Sequence, residues 1–234
     1  MLDQMFQLVG PGDIVVDIGA NIGTVTVAMA KRVGPTGAVH AFEAQRIIYQ
    51  RLVTNVGLNN LPNVHTYNVA LGETNDGVLS VPTQPNLQHA SNMGSFSFMD
   101  ADGNAFVQEK EDMLYEDVPQ RTLDSYNFLH VSSGNDCPKL LKLDIEMMET
   151  MALKGARSLI NRSVLPIFSQ ARQKIQMCVL VTTLHACMCC TGAYNINTTD
   201  LYPSTHTNIG ACRTSTPKLT LAKMRGCCRC WKIH

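Results

Sequence analysis

The chain has 234 residues, of which 45% are hydrophobic, and its formal net charge is zero. This length allows one domain of ordinary size with a modest appendage, and the neutral balance excludes a global field that would recruit nucleic acid or an acidic membrane. No apolar run approaches the roughly 20 residues that span a bilayer. The N-terminus carries no readable secretion signal, so a cytoplasmic location is the default expectation.

The N-terminal part of the chain alternates between segments of strand and helix character. Short apolar runs with β-branched residues predict strands over residues 13–18, 38–42 and 64–69. Residues 24–33 contain no helix breaker, and residues 45–56 place apolar side chains four apart, which predicts two helices. Crossover connections of this length force the strands to be parallel, so we predict an α/β fold with a doubly wound sheet.

The regular pattern is interrupted over residues 71–126 and then returns. In the interruption, short apolar pieces separated by Gly, Asn, Asp and Pro predict an insertion that carries a hairpin. Residues 139–144 predict a fourth strand, residues 149–160 a helix and residues 164–168 a fifth strand. The pattern stops there, so we expect the C-terminal strands of the sheet to be missing or aberrant.

The loop after the first strand, residues 17–23, is rich in glycine. Open α/β sheets bind ligands at the carboxyl ends of their strands, and glycine lets the backbone approach a ligand closely. A dinucleotide fingerprint needs three glycines, but its places hold Gly19, Asn21 and Thr24. Glu43, after the second strand, is suited to accept hydrogen bonds from both hydroxyls of a ribose. The loop and Glu43 together favour an adenosine-type ligand over a simple turn beside a solvent-facing acid.

Five blocks of sequence follow one another in a recognisable order. They are Val15-Val-Asp-Ile-Gly-Ala-Asn-Ile-Gly23, His40-Ala-Phe-Glu43, Asn68-Val-Ala-Leu-Gly72, Arg121-Thr-Leu-Asp124 and Leu141-Lys-Leu-Asp-Ile-Glu146, continued by Glu149 and Leu153-Lys-Gly-Ala156. In these blocks the chain resembles FkbM-type methyltransferases, from about residue 12 to residue 166. The resemblance implies a Rossmann-like methyltransferase sheet and transfer of a methyl group from S-adenosylmethionine, usually onto a hydroxyl oxygen of a small molecule, glycan or lipid.

The resemblance also implies which residues form the cofactor site. Asp17, Gly19, Asn21 and Gly23 would surround the methionine and ribose part of S-adenosylmethionine, Glu43 would hold the ribose hydroxyls, and Asn68 and Ala70 would lie near the adenine. Two alternatives stay open at this point, a truncated, non-catalytic Rossmann-like domain and an NAD-dependent oxidoreductase. The spacing of the glycines disfavours the oxidoreductase.

Three carboxylates near the end of the fourth strand are the candidates for catalysis. A hydroxyl acceptor benefits from a base that takes its proton, and Asp144 is the first choice, followed by Glu146 and Glu149. The same carboxylates could bind a divalent cation or cap the following helix, and no metal is assigned. Met147 stands where the family usually has glycine, which puts the geometry of a positive-φ turn there in question.

Two further features have both a functional and a plain interpretation. Residues 91–97 resemble a glycine- and serine-rich acceptor loop, and an ordinary hairpin turn fits them equally well. His40 and His65 lie in predicted strands, so we expect them to be core or edge residues rather than catalysts.

The composition changes abruptly near residue 170. Up to that point the chain has 11 Lys and Arg against 18 Asp and Glu, and beyond it 8 against 1, together with eight of the nine cysteines. We therefore divide the chain into a methyltransferase domain, residues 1–170 with an insertion at about 71–126, and an irregular, cysteine-rich basic tail, residues 171–234. The pairs Cys187/Cys190 and Cys227/Cys230 have zinc-site spacing, but a tail without evolved structure is favoured over a zinc site or a disulfide framework.

Overall fold

A computed structural model of the chain describes residues 2–83, 114–126, 137–145, 148–162, 165–171, 174–181 and 186–189. The elements in chain order are α1 (Leu2–Leu8), β1 (Ile14–Ile18), α2 (Thr24–Val33), β2 (Ala38–Phe42), α3 (Arg46–Leu58), β3 (Val64–Tyr67), β4 (Ala70–Leu71), β5 (Val78–Pro82), β6 (Tyr115–Arg121), a 3-10 helix (Leu123–Ser125), β7 (Leu140–Leu143), α4 (Glu149–Lys154), α5 (Arg157–Arg162), β8 (Leu165–Ala171), β9 (Lys174–Val181) and β10 (Ala186–Cys189).

The main sheet has seven strands in the order β10-β9-β8-β7-β1-β2-β3. The five strands from β8 to β3 are parallel, whereas β9 and β10 are antiparallel to their neighbours. β1 lies at the centre of the parallel part, with β2 on one side and β7 on the other. Successive strands are therefore added outwards from β1, first on the β2 side and later on the β7 side. This is the predicted doubly wound α/β fold, and its switch point lies at the carboxyl end of β1.

Both faces of the parallel sheet are covered by helices. On one face, α1 and α2 pack against Val15, Val39 and Leu140 through Met5, Val25, Met29, Ala30 and Val33. On the other face, α4 and α5 pack against Val16, Ile18, Leu141 and Leu143 through Ala152, Leu153, Leu159 and Ile160. Each fully buried Val, Leu, Ile or Met side chain contributes about 1.5–3 kcal/mol to folding. The near-continuous apolar sequence of β1 and β7 follows from this two-sided burial.

The helix predicted over residues 149–160 is instead two helices, α4 and α5. The interruption falls at Gly155, where a Cβ atom would collide with the main-chain carbonyl of Gly72. α5 then starts on a new cap, because the carboxylate of Asp124 accepts hydrogen bonds from the main-chain N–H groups of Ser158 and Leu159 at 2.7 and 3.0 Å. A long-range contact and a side chain distant in sequence therefore decide where the helix breaks.

A second, three-stranded sheet has the order β4-β6-β5. β5 and β6, which the sequence predicts as short apolar pieces of a hairpin, pair antiparallel, and β4 pairs parallel to β6. The proposed acceptor loop, residues 91–97, lies outside the described residues, as do Glu146 and Met147.

Two strands occur in the part of the chain for which no regular structure is predicted. β9 pairs with β8, and β10 pairs with β9, so both extend the main sheet beyond its parallel part. Residues 190–234 lie outside the described residues, and with them the pair Cys227/Cys230 and one member of the pair Cys187/Cys190. Among the helices in the described ranges, none has the length and apolar character needed to cross a membrane.

Candidate functional site

The loop from β1 to α2 bends sharply at the carboxyl edge of the sheet. Gly19 adopts a positive φ of 72°, and a Cβ atom at this position would collide with the carbonyl oxygen of Asp144. Asn21 follows with a positive φ of 53°. Because only glycine avoids both the backbone strain and the collision, Gly19 brings the loop directly against the chain that leaves β7.

The same loop is tied to the end of β2 by main-chain hydrogen bonds. The N–H groups of Gly19 and Ala20 both donate to the carbonyl oxygen of Phe42, at 3.0 and 2.9 Å. The N–H of Asn21 donates to Oε2 of Glu43 at 2.9 Å. The glycine loop and the acid predicted to bind a ribose are therefore one connected unit.

Glu43 is buried, and each of its carboxylate oxygens accepts a hydrogen bond from the main chain. Oε2 accepts from Asn21, and Oε1 accepts from the N–H of Gln45 at 2.9 Å. Burial raises the pKa of Glu43 above its ordinary value of 4.5, and the two hydrogen bonds and the charge of Lys142 act in the opposite direction. Each carboxylate oxygen has a second lone pair, so Glu43 can still accept a hydrogen bond from each of two ligand hydroxyls.

Asn68 and Ala70 occupy different surroundings. The Nδ2 group of Asn68 donates to the carbonyl oxygens of Glu43 and Ala44, each at 2.9 Å, and so holds the main chain that follows β2. Ala70 lies in β4, where its side chain packs with Val81 and Val118 in the core of the small sheet. Asn68 is thus at the site through its contacts with Glu43 and Ala44, whereas the side chain of Ala70 faces a separate core.

Asp17 lies beneath the glycine loop and is fully buried. Its Oδ2 accepts a hydrogen bond from Oγ1 of Thr26, in the first turn of α2, at 2.6 Å. Its Oδ1 lies 3.1 Å from Nζ of Lys142, as an ion pair that is not aligned as a hydrogen bond. The carboxylate of Asp17 therefore interacts with groups of the protein itself.

Lys142 is at the centre of the site, although the sequence analysis assigns it no role. It stands beside Asp17 in the register of β1 and β7, and its Nζ donates to the carbonyl oxygen of Gly19 at 2.6 Å. The same atom lies 3.6 Å from Oδ2 of Asp144. The signal that could have identified it is a single charge inside an apolar strand, because such a charge needs a buried partner of opposite sign.

Two of the three candidate catalytic carboxylates, Asp144 and Glu149, lie in the described residues. Asp144 follows β7, donates its main-chain N–H to the carbonyl of Ile18 at 3.0 Å, and has a side chain that is 28% exposed. Glu149 is buried in the first turn of α4, the position that the capping interpretation requires. Glu146 lies outside the described residues. No group of three or more His, Cys, Asp and Glu residues in the described part of the chain is arranged to hold a metal ion.

Aromatic side chains form a cluster where β2 and β3 end. Phe42 stacks on Tyr67 with ring centroids 4.6 Å apart, and Tyr126 contacts both rings edge-on at 5.1 Å. Nδ1 of His40 lies 3.0 Å from the hydroxyl of Tyr67, and His40 stacks on His65 at 4.8 Å. Burial, with a smaller effect of the neighbouring His65, lowers the pKa of His40 to about 3. His40 is buried, in agreement with the expected core or edge position, and no sequence motif marks the two tyrosines.

Comparison with known proteins adds a family assignment to this geometry. Residues 17–183 match the family described as the methyltransferase FkbM domain. No curated protein matches the sequence.

Solved structures similar to the chain include proteins described as methyltransferases. A methyltransferase FkbM from Methylobacillus flagellatus KT is 18% identical over 74% of this chain and 40% of that chain, with a TM-score of 0.44. A putative rRNA-methylase from Clostridium thermocellum is 28% identical over 29% of this chain and 37% of that chain, with a TM-score of 0.28. Fibrillarin from Aeropyrum pernix, solved with S-adenosyl-L-methionine bound, is 25% identical over 26% of this chain and 25% of that chain, with a TM-score of 0.24. The chain thus spans two fifths or less of the length of each.

Proposed function

The chain belongs to the FkbM methyltransferase family, and on that premise we propose that it transfers a methyl group from S-adenosylmethionine to a hydroxyl oxygen of a small molecule, glycan or lipid. The observation that carries the proposal is the buried carboxylate of Glu43, which is hydrogen-bonded to the glycine loop through Asn21. An acid in this place, at the end of the strand next to β1, suits the two hydroxyls of a ribose.

The described residues fit an adenosine-containing cofactor. Glu43 keeps accepting capacity on both oxygens, and Gly19 adds no side chain where the loop meets Asp144. Asn21 and Gly23 complete the surface of the loop around the methionine and ribose part. Asn68 and the main chain at Ala70 would lie on the adenine side, and Asp17 would support the loop from below.

The charges of the site favour a cationic ligand. The carboxyl groups of Asp17 and Asp144 lie within 4 Å of the ammonium of Lys142, and its charge also acts on the carboxyl group of Glu43. When bound, S-adenosylmethionine supplies a methyl group on a positively charged sulfur, which leaves as a neutral thioether. Because these carboxyl groups outnumber the one ammonium, the site attracts that positive charge.

Asp144 is the residue that we assign to the proton of the acceptor. Its side chain is partly exposed at the end of β7 and next to the glycine loop, so an acceptor hydroxyl can reach it. When the acceptor oxygen is methylated, the carboxylate of Asp144 would take the hydroxyl proton and pass it on to water. Glu146 and Glu149 are the further candidates for this role.

Calorimetric titration tests the cofactor part of the proposal. We expect the protein to bind S-adenosylmethionine and not NAD. Glu43→Gln should weaken S-adenosylmethionine binding about 10- to 100-fold, because hydrogen bonds to a charged group contribute about 1.5–3 kcal/mol. Glu73→Gln is the matched control, since Glu73 pairs with Lys154 at 3.3 Å away from the glycine loop. Binding of NAD alone would indicate an oxidoreductase, and binding of neither ligand would indicate a non-catalytic domain.

The acceptor part needs a separate experiment. The protein is incubated with S-adenosylmethionine labelled in the methyl group and with pools of hydroxylated small molecules, oligosaccharides and lipids. We expect label in a product that survives mild alkali, as a methyl ether does, and none in a carboxylic-acid pool, whose methyl esters are hydrolysed. Label only in alkali-labile products, or only in amines, would contradict transfer to a hydroxyl.

A further inference from the structure

Lys142 is a buried charge in the middle of a strand. Its side chain is 4% exposed, and its neighbours Leu141 and Leu143 are fully buried. Lysine is almost never buried to this extent unless its ammonium is paired, because the loss of hydration is costly. The surroundings of this one group therefore require an explanation beyond packing.

Three oxygens from three different parts of the chain surround the ammonium. The carbonyl oxygen of Gly19 lies at 2.6 Å, Oδ1 of Asp17 at 3.1 Å and Oδ2 of Asp144 at 3.6 Å. Of these three contacts, the one with Gly19 is a hydrogen bond, and those with Asp17 and Asp144 are ion pairs. The shortest of the three contacts is the one with the main chain of the loop, not with either carboxylate.

From this arrangement we propose that Lys142 is the positioning residue of the glycine loop. It holds the carbonyl of Gly19 against β7 and keeps the carboxylate of Asp144 beside the loop. The inference deepens the proposed function, because this loop is the one that we assign to S-adenosylmethionine. Lys142 touches neither cofactor nor acceptor in this proposal and acts through Gly19 and Asp144.

The loop is thereby attached on two sides. Phe42 and Glu43 bind its N–H groups from the β2 side, and Lys142 binds its carbonyl from the β7 side. Removal of Lys142 releases only the second attachment. The loop should then become mobile while the strands on either side keep their packing.

The alternative is that Lys142 only neutralises Asp17. A buried ion pair contributes little net stability compared with apolar residues of similar volume, whereas removal of one partner leaves an uncompensated charge. The double change Asp17→Asn and Lys142→Met removes both charges. If charge neutralisation were the whole role of Lys142, this double variant would behave like the unaltered protein in every respect.

Hydrogen exchange of the ligand-free protein separates the two explanations. The amides of Gly19, Ala20, Asn21 and Gly23 are hydrogen-bonded and report on the loop. We expect them to exchange at least 10-fold faster in Lys142→Met and in the double variant, with the amides of β1 and β2 in the double variant unchanged. Asp17→Asn alone keeps the contact with Gly19, so its loop amides should stay protected. Lys154→Met, which removes a partly exposed lysine paired with Glu73, is the control.

Titration with S-adenosylmethionine adds a second readout. The affinity should be at least 10-fold lower in the double variant than in Asp17→Asn, and Lys154→Met should bind as the unaltered protein does. Unchanged loop exchange in the double variant, or equal loosening in Asp17→Asn, would overturn the proposal. If Lys142→Met alone does not fold, the double variant and Asp17→Asn decide the matter. Absence of binding by the unaltered protein would instead refute the proposed function and leave the exchange result on Lys142 intact.

Discussion

Oε2 of Glu43 accepts a hydrogen bond from the main-chain N–H of Asn21 at 2.9 Å, across 22 residues of sequence. This bond joins the acid at the end of β2 to the glycine loop at the end of β1. The affinity of a ligand that binds the carboxylate of Glu43 therefore also depends on the conformation of the loop.

The first prediction concerns the pH dependence of Glu43. Burial raises the folded-state pKa of Glu43 above 4.5. Between 4.5 and the raised value, the carboxyl group of Glu43 is therefore ionised in the unfolded chain but still protonated in the folded protein. Its contribution to stability consequently falls as the pH rises through this range. The free energy of unfolding of the unaltered protein minus that of Glu43→Gln should thus be largest at acid pH and decrease towards neutral pH. Chemical denaturation of both proteins between about pH 4 and pH 8 measures this.

Cofactor binding should show the opposite trend. Only the ionised carboxylate of Glu43 accepts from both ribose hydroxyls, so affinity for S-adenosylmethionine should rise as the pH increases through the raised pKa, and Glu43→Gln should lack this rise. Glu73→Gln serves as the control in both series. A stability difference that grows with pH would show that the carboxylate is favoured, not disfavoured, by its surroundings.

The second prediction concerns Asp144. Asp144→Asn should lower the rate of methyl transfer about 100- to 10,000-fold, because the acceptor hydroxyl loses its base. Affinity for S-adenosylmethionine should change less than about threefold, a difference of about 0.6 kcal/mol. Single-turnover assays with the acceptor found above measure the rate, and Asp117→Asn, in an exposed position of β6, is the control. A full rate in Asp144→Asn would move the role to Glu146 or Glu149.

The third prediction concerns Gly19. Gly19→Ala should destabilise the protein by about 3 kcal/mol or more, because positive φ and the collision with Asp144 act together. Gly34→Ala is a graded control, since Gly34 has a φ of 67° but no atom within 4 Å of the added Cβ. Its ψ of −174° lies in a region that is essentially restricted to glycine, so the alanine should cost about 1–3 kcal/mol from backbone strain alone.

Gly57→Ala completes the glycine series. Gly57 lies in α3 with open space around it, so the alanine should stabilise the protein by about 0.5 kcal/mol. Thermal or chemical denaturation ranks the three variants. Equal effects at Gly19 and Gly34 would show that the contact with Asp144 is unimportant.

The fourth prediction concerns acid stability and His40. The pKa of His40 is lowered from 6.5 to about 3, so the protein should lose stability as the pH falls from 6.5 towards 3, because the unfolded chain binds the proton first. Between about pH 7 and pH 5 the loss should be about 2 kcal/mol. His40→Asn, which can keep a hydrogen bond to Tyr67, should lack this part of the loss. His65→Asn, at an exposed position, should retain it.

Much of the fold could be predicted from local patterns. Strand segments such as residues 13–18 and 38–42 are short, apolar and rich in β-branched residues, and burial of both faces leaves them few other conformations. The glycine loop and Glu43 were also predictable, because a strand that ends in an acid or a glycine turn is visible in a few consecutive residues. The parallel order of β1, β2 and β3 follows from the length of the crossovers between them.

Other features depend on contacts that local patterns do not contain. Helix α5 starts where Asp124 caps it, and the break before it lies at Gly155, where the chain meets the backbone of Gly72. β9 and β10 continue the sheet through sequence in which no period is visible. The cluster of Phe42, Tyr67 and Tyr126 brings together rings from three separate segments.

The features of the candidate site also fall into these two groups, those set by local sequence and those set by long-range contacts. The sequence by itself determined the doubly wound sheet, the glycine loop at its switch point and the acid at the end of β2, because each is set by the properties of neighbouring residues. Only the tertiary structure decided that Lys142 reaches the carbonyl of Gly19, 123 residues away, and that Asp17 is turned inward to meet it. These contacts follow from the register between β1 and β7, which exists only once the two strands have paired.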